Sequence, residues 1–306
     1  MNRFSLTNQI AYYIWFGLSY YVRQYPIPII GGLSITDTCN LNCRHCWRKN
    51  TGKGPVPYAI IMDTMYGFYR KGVRYLYIQG GEPFTWKDED HTLSDLVNTA
   101  KEIGFFHVAI CTNGTFPLDP TPDTYWISLD GIGRTHDNIR GSNAFHALRR
   151  NINETNHPHI CANITINNEN AGCLEELVHF VAEESHLRGV MVNFHIPYPG
   201  VENLLLDDET RIKVAEQAIN LKREGFPVLN TVSGLRAMGQ NTWPRPLRLS
   251  VVSDCENEYI CCRAHGQDSI CTHCGYALWA ELSRILRPNI FESLKLLRQV
   301  HKLRTG

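Results

Sequence analysis

From residue 32 to residue 223, strand-like runs alternate with longer segments whose apolar residues recur at helical spacing. The runs 32–38, 75–79, 107–112, 125–129, 160–166 and 189–195 read as strands. The segments 59–71, 93–103, 144–153, 174–186 and 209–223 read as helices. Such alternation joins parallel strands through helical crossovers, so the fold class is α/β. Six strands make a partial (β/α)6 barrel of the TIM type more natural than a closed eight-stranded one. Reactive side chains are then expected at the carboxyl ends of the strands. One connection departs from the pattern. Thr112 and Tyr125 are separated by Asn-Gly-Thr-Phe-Pro-Leu-Asp-Pro-Thr-Pro-Asp-Thr, too short and proline-rich for a crossover helix, and an irregular loop is expected there.

The chain of 306 residues has room for one large domain and a small appendage. Residues 32–240 are expected to form the barrel. Pro244 and Pro246 mark a boundary, after which residues 241–306 turn cysteine-rich and then helical, ending in the basic stretch 295–304. Residues 1–31 form an apolar lead-in, almost continuously apolar or aromatic over 10–22. Thirteen helical residues span about 20 Å, short of the roughly 30 Å hydrocarbon core. Three readings stand: a helix packed on the domain, an in-plane helix at a membrane surface flanked by Arg3 and Arg23, or a span. Lys+Arg and Asp+Glu both number 30, so the chain lacks the basic field of a nucleic-acid binder.

Eleven cysteines, clustered and odd in number, argue against a secreted disulfide framework and for metal binding in a reducing cytoplasm, with peripheral membrane contact through residues 10–22 left open. Cys39, Cys43 and Cys46 have the spacing C-x3-C-x2-C just after a strand. Three thiolates on one tight loop hold three irons of a cubane and leave the fourth open to a ligand; structural zinc normally takes four ligands. Tyr75–Gln79 runs into Gly80-Gly81-Glu82-Pro83, where the glycines allow close backbone approach and Glu82 can accept from a cationic amine. Thr112-Asn113-Gly114 ends the third strand and Ser128-Leu129-Asp130-Gly131 the fourth, followed by His136-Asp137-Asn138-Ile139-Arg140-Gly141. His195 closes the sixth strand; a histidine there is more often structural than catalytic, though it would point to the barrel mouth. Between 255 and 274 five cysteines supply four ligands for a second [4Fe–4S] cluster, for zinc, or for neither as free thiols. The expected ligands are Cys255, Cys261, Cys271 and Cys274, with Cys262 spare.

These motifs, in this order, resemble the radical S-adenosylmethionine (SAM) superfamily over roughly residues 32–200. The resemblance implies a [4Fe–4S] cluster on Cys39, Cys43 and Cys46, whose open iron chelates SAM. Reductive cleavage then gives methionine and a 5′-deoxyadenosyl radical. Gly80, Gly81 and Glu82 would contact the SAM amino group, Ser128 and Arg140 its carboxylate, with Asn113 and Asn163 near it and Asp130 facing the substrate. Where the family usually has an aromatic residue before the third cysteine, this chain has His45, with Trp47 after it. The short 113–125 connection leaves the adenine pocket's shape open. The C-terminal cysteines resemble a shortened SPASM or twitch extension without its seven-cysteine pattern, and Cys271-Thr-His-Cys274-Gly-Tyr resembles the adenosylhopane synthase family.

The resemblance implies radical chemistry on a small organic, lipid-linked or peptide substrate, with an electron donor such as flavodoxin or ferredoxin. Within that class stand hydrogen abstraction or radical addition on a lipid-linked molecule, dehydrogenation or peptide maturation using a second cluster, and epimerisation with Cys261 or Cys262 returning the hydrogen. Of another class is a non-catalytic Fe–S or zinc protein that retains the barrel.

Overall fold

A computed structural model of the protein describes residues 6–24, 26–47 and 50–285; the basic stretch 295–304 lies outside the described residues. Six parallel strands follow one another in sequence order: β1 (Ile30–Ser34), β2 (Tyr75–Gln79), β3 (His107–Thr112), β4 (Thr124–Ser128), β5 (Ile160–Ile166) and β6 (Leu187–Phe194). Four crossovers carry helices: α2 (Tyr58–Lys71), α3 (Leu93–Ile103), α4 (Arg134–Arg140) with α5 (Ala144–Glu154), and α6 (Leu174–Glu183). The fifth, from β3 to β4, is the helix-free loop that its prolines predict. The fold is the expected partial (β/α)6 barrel.

Its packing follows from strand alternation. In β2 Leu76 and Ile78 are buried against the helices, while Tyr75, Tyr77 and Gln79 face the concave side and stay partly exposed. Helices α2 and α3 cover the convex side with Ile61, Met65, Phe68, Leu96, Val97 and Ala100, none of them solvent-accessible. Helix α3 starts at a capping box in which Thr92 and Asp95 exchange side-chain and backbone bonds.

Beyond β6 come α7 (Asp208–Arg223) and α8 (Val232–Gly239), then β7 (Ser250–Ser253), β8 (Glu258–Ile260), the short α9 (Asp268–Cys271) and α10 (Ala277–Ile285). The two strands are absent from the sequence reading. β7 pairs in parallel with β1 and carries antiparallel β8, so the segment expected as a separate extension first enlarges the barrel's own sheet. At its other end Gly275 packs on β6: the Phe194 N–H donates to Gly275 O at 3.0 Å, and a Cβ on Gly275 would lie 2.0 Å from Phe194 O. The cysteine-rich segment therefore runs from the β1 edge of the open barrel to the β6 edge.

The apolar N-terminal stretch forms α1 (Leu6–Tyr21), packed on the domain. The Tyr12 hydroxyl donates to Gly72 O, and its ring meets Phe106 edge-on. Ile10, Ile14, Trp15, Leu18 and Tyr21 stay exposed on the outer side. Among the described residues no helix is long and apolar enough to cross a membrane.

Candidate active site

The loop after β1 carries Cys39, Cys43 and Cys46 and is tied at both ends. On the entry side the Cys39 N–H donates to Asn50 Oδ1 (2.9 Å) and the Asn50 N–H to Asp37 O (2.8 Å). On the far side the Arg44 N–H donates to Ile139 O (2.8 Å), and the Arg44 guanidinium pairs with Glu169 at 2.7 Å. Cys43 is buried, and burial pushes its thiol up to about 11 although the neighbouring Arg140 opposes this. The loop is thus tied to the barrel on both sides.

Glu82 sits beside this loop. The Gly81 N–H donates to Thr36 O and the Glu82 N–H to Thr38 O. A Cβ on Gly80 would lie 2.4 Å from Thr36 O, and one on Gly81 2.2 Å from Thr38 O. The glycine pair, expected to admit a ligand, admits the backbone that leads into the cysteine loop. The Glu82 carboxylate is 1% exposed and accepts from Thr112 Oγ1 (2.7 Å), the Asn113 N–H (2.7 Å) and the Phe84 N–H (3.3 Å). Among the described residues no cation forms an ion pair with it. Burial pushes its pKa up to about 7 against these bonds.

Asp130, expected to face the substrate, is fully buried. Its Oδ2 accepts from Arg140 Nε at 2.6 Å, and its Oδ1 from the Thr165 N–H at 2.8 Å. Burial raises its pKa, but Arg140, His45 and His136 outweigh that and hold it below the ordinary range. Asp130 therefore positions Arg140, whose Nη1 lies 4.0 Å from Cys43 Sγ. Of the segment His136–Gly141, all but Gly141 lies on α4, and this helix delivers Arg140. Ser128, the last residue of β4, is the register partner of Asn163 in the middle of β5.

The Radical SAM superfamily model matches residues 33–181. Residues 33–181 thus form a radical SAM domain. Fe-coproporphyrin III synthase of Methanosarcina barkeri is 27% identical over 223 residues, which is 63% of this chain and 52% of that one. The sporulation killing factor maturation protein SkfB of Bacillus subtilis is 28% identical over 50% of this chain and 39% of its own. The chain thus spans about half, or less, of the length of these radical SAM relatives. Streptococcus suis SuiB bound to S-adenosylmethionine has the same fold at 14% identity, with a TM-score of 0.63 over 86% of this chain and 68% of that one. SuiB bound to its precursor peptide SuiA gives 0.54 at 16% identity, over 73% and 52%.

The radical SAM family uses a [4Fe–4S] cluster and SAM, and the residues here suit both. Three thiols share one closed loop, one fewer than a cubane's irons. A buried carboxylate that accepts only from neutral donors matches a cationic amine.

Three other singled-out residues complete the site's surroundings. His195 is buried with Nε2 bonded to Val201 O at 2.8 Å, so it holds the turn after β6 and does not open onto the mouth. Cys255 lies apart from the other C-terminal cysteines: its Sγ is directed at Ser34 O of β1 at 3.9 Å. Cys262, read as spare, lines one cavity together with Cys261, Cys271 and Cys274. Tyr198 borders the same cavity, stacks on Trp47 of the first loop with centroids 4.3 Å apart, and bonds Tyr276 through their hydroxyls at 3.2 Å.

Proposed function

We propose that this chain is an enzyme that cleaves SAM reductively and uses the resulting radical on an organic substrate by hydrogen abstraction or addition. The observation that carries the reading is Glu82: a fully buried carboxylate without a cationic partner, bonded to the end of β3 and set beside three thiols on one loop. Cys39, Cys43 and Cys46 would hold the cluster, whose bound SAM supplies a one-electron carbon–sulfur cleavage. Glu82 would receive the SAM amine. Arg140, fixed by Asp130, would set its planar fork toward the carboxylate, with Asn113 after β3, Ser128 at the end of β4 and its register partner Asn163 nearby. The electron would come from a low-potential carrier of the flavodoxin or ferredoxin class.

The substrate would enter over the concave face, where Tyr77 and Gln79 of β2, Cys111 of β3 and Asn193 of β6 stay partly exposed. Two substrate classes have support. The exposed apolar stripe of α1, next to Arg23, supports contact with a lipid surface and hence a lipid-linked substrate. The names of SkfB and of the SuiB–SuiA complex support a peptide.

The test uses anaerobically reconstituted protein, SAM and a strong reductant. The wild type should release 5′-deoxyadenosine. Cys43→Ala should bring release to background and remove about four irons per chain, a cubane's complement. Unchanged iron and unchanged cleavage in that variant would overturn the proposal.

A further inference from the structure

We infer that the outer face of α1 lies in the surface of a bilayer carrying anionic lipids, with the mouth of the barrel turned away from it. The proposed function enters only through the position of that mouth.

Twelve large apolar side chains are exposed among the described residues, and six of them sit on α1 or the residue after it: Ile10, Ile14, Trp15, Leu18, Tyr21 and Val22. Single exposed apolar residues are ordinary, whereas a contiguous set marks a contact surface. The solvent side of a surface helix is normally its polar side. On α1 the order is reversed: Ile14 is 59% exposed, while Ser19 is buried against the domain.

Width, chemistry and charge select what covers this face. At 3.6 residues per turn Ile10 and Trp15 lie about 140° apart around the axis, and between them on the outer side stand Ile14, Leu18 and Tyr21. A helix from a second copy covers the narrower seam of a heptad pattern; a fluid surface wets the full width. Trp and Tyr are the side chains that settle at the level of lipid headgroups. No acidic residue precedes Asp37 in the chain. Arg23 follows the helix and is exposed, and so is Arg70, two residues before the Gly72 on which Tyr12 and Trp15 pack. Each cation near an anionic leaflet adds attraction.

The orientation follows from what α1 touches. The Tyr13 hydroxyl bonds that of Tyr75, the first residue of β2, and the rings of Tyr12 and Tyr13 meet Phe106, just before β3. These are the amino-terminal ends of the strands, whereas the cysteine loop and Glu82 follow the carboxyl ends. The five residues of β2 separate the two levels by about 16 Å. The helix therefore sets where the enzyme works. A lipid-linked substrate would have to extend its reacting part across the height of the barrel, and a substrate from solution would not.

Full-length protein is sedimented with vesicles of phosphatidylcholine, with or without phosphatidylglycerol. The wild type should pellet with the anionic vesicles, much less with the neutral ones, and be released by added salt. Ile14→Glu with Leu18→Glu, both on the outer face, should keep the fold by circular dichroism and cut binding roughly tenfold. Arg23→Glu should weaken binding to the anionic vesicles alone. In metal-free protein Cys39 and Cys46, at the mouth, should alkylate at equal rates with vesicles present or absent. Wild-type protein that stays in solution with both vesicles, or a double variant that binds as the wild type does, overturns the lipid contact. A wild-type dimer that the double variant dissolves, without vesicle binding, assigns the face to a second copy and overturns it as well. Equal binding to both vesicles overturns the anionic preference, and slower alkylation on vesicles overturns the orientation. Neither readout uses SAM, so absent SAM cleavage would overturn the proposed function and leave this inference standing.

Discussion

Each of the two cysteine loops has a buried arginine beside it, and the two arginines are held differently. Arg140, beside Cys43, is gripped by the Asp130 carboxylate at 2.6 Å. Arg211, beside Cys274, donates to three backbone carbonyls and has no ion-pair partner among the described residues. A neutralised guanidinium is a fixed donor, and its direction matters more than its charge. One held by carbonyls alone keeps its charge and contributes field to its surroundings. The cation beside the first loop is therefore fixed by its counter-charge, and the one beside the second by backbone alone.

The sharpest way to break the contrast is to make Arg140 resemble Arg211. Asp130→Asn keeps the shape and removes the negative charge, stranding a guanidinium where the Coulomb term is large. Removing one partner of a buried pair costs about 3–5 kcal/mol, read as a drop in the denaturant midpoint of metal-free protein with unchanged slope. A loss under about 1 kcal/mol would show that another group already meets the Arg140 charge, and the distinction between the loops would fall.

Unequal legibility in the sequence has the same physical source. The first loop is local. Cys39, Cys43 and Cys46 lie within eight residues, and Glu82 and Thr112 sit at consecutive strand ends, so order along the chain is order in space. β2, β3, β5 and α3 coincide with their expected limits for a similar reason, since both periodicities are short-range. The second loop is not local. That Cys262 belongs with Cys261, while Cys255 turns to Ser34, follows from the positive φ at Cys261 and from the pairing of β7 with β1, and neither leaves a spacing signal. Arg211 did leave one: it shares the helical face of Val214, Ala215 and Ala218, where a charge is out of place. The resemblance places Asp130 toward the substrate, yet Arg140 ten residues later claims its oxygen.

Glu82 sharpens the comparison from the ligand side, with a smaller effect. Glu82→Gln preserves size and removes the charge meant for the SAM amine, and binding should weaken by about 1.5–3 kcal/mol, roughly 10- to 150-fold. Isothermal titration with SAM measures it; wild-type affinity would reduce the Gly80–Glu82 segment to a turn. The pH dependence follows from burial. The folded pKa, about 7, lies above the ordinary 4.5, so the folded metal-free protein prefers the protonated acid. Stability contributed by this group is present below pH 4.5 and is lost as pH rises toward 7. SAM affinity should run the opposite way, climbing through the same window, and the Gln variant should lose both trends.

The smallest effect is expected where the two regions touch. His195 accepts no substrate in this geometry. Its Nε2 meets Val201 O, its N–H donates to Ile166 O at 2.7 Å, and the turn so fixed presents Tyr198 between Trp47 of the first loop and Tyr276 of the second segment. Burial lowers its pKa, so the ring is neutral and serves as a spacer with one hydrogen bond. Replacing it by glutamine removes about 1 kcal/mol of stability, the net worth of one such bond. It should leave the iron content and the amount of 5′-deoxyadenosine released per SAM consumed unchanged. A catalytic His195 would behave otherwise: product turnover would collapse with stability intact, and the pH profile of the reaction would lose a limb. Thermal unfolding and product yield measured on the same preparation separate the two outcomes, because a residue that only shapes the junction moves the first and not the second.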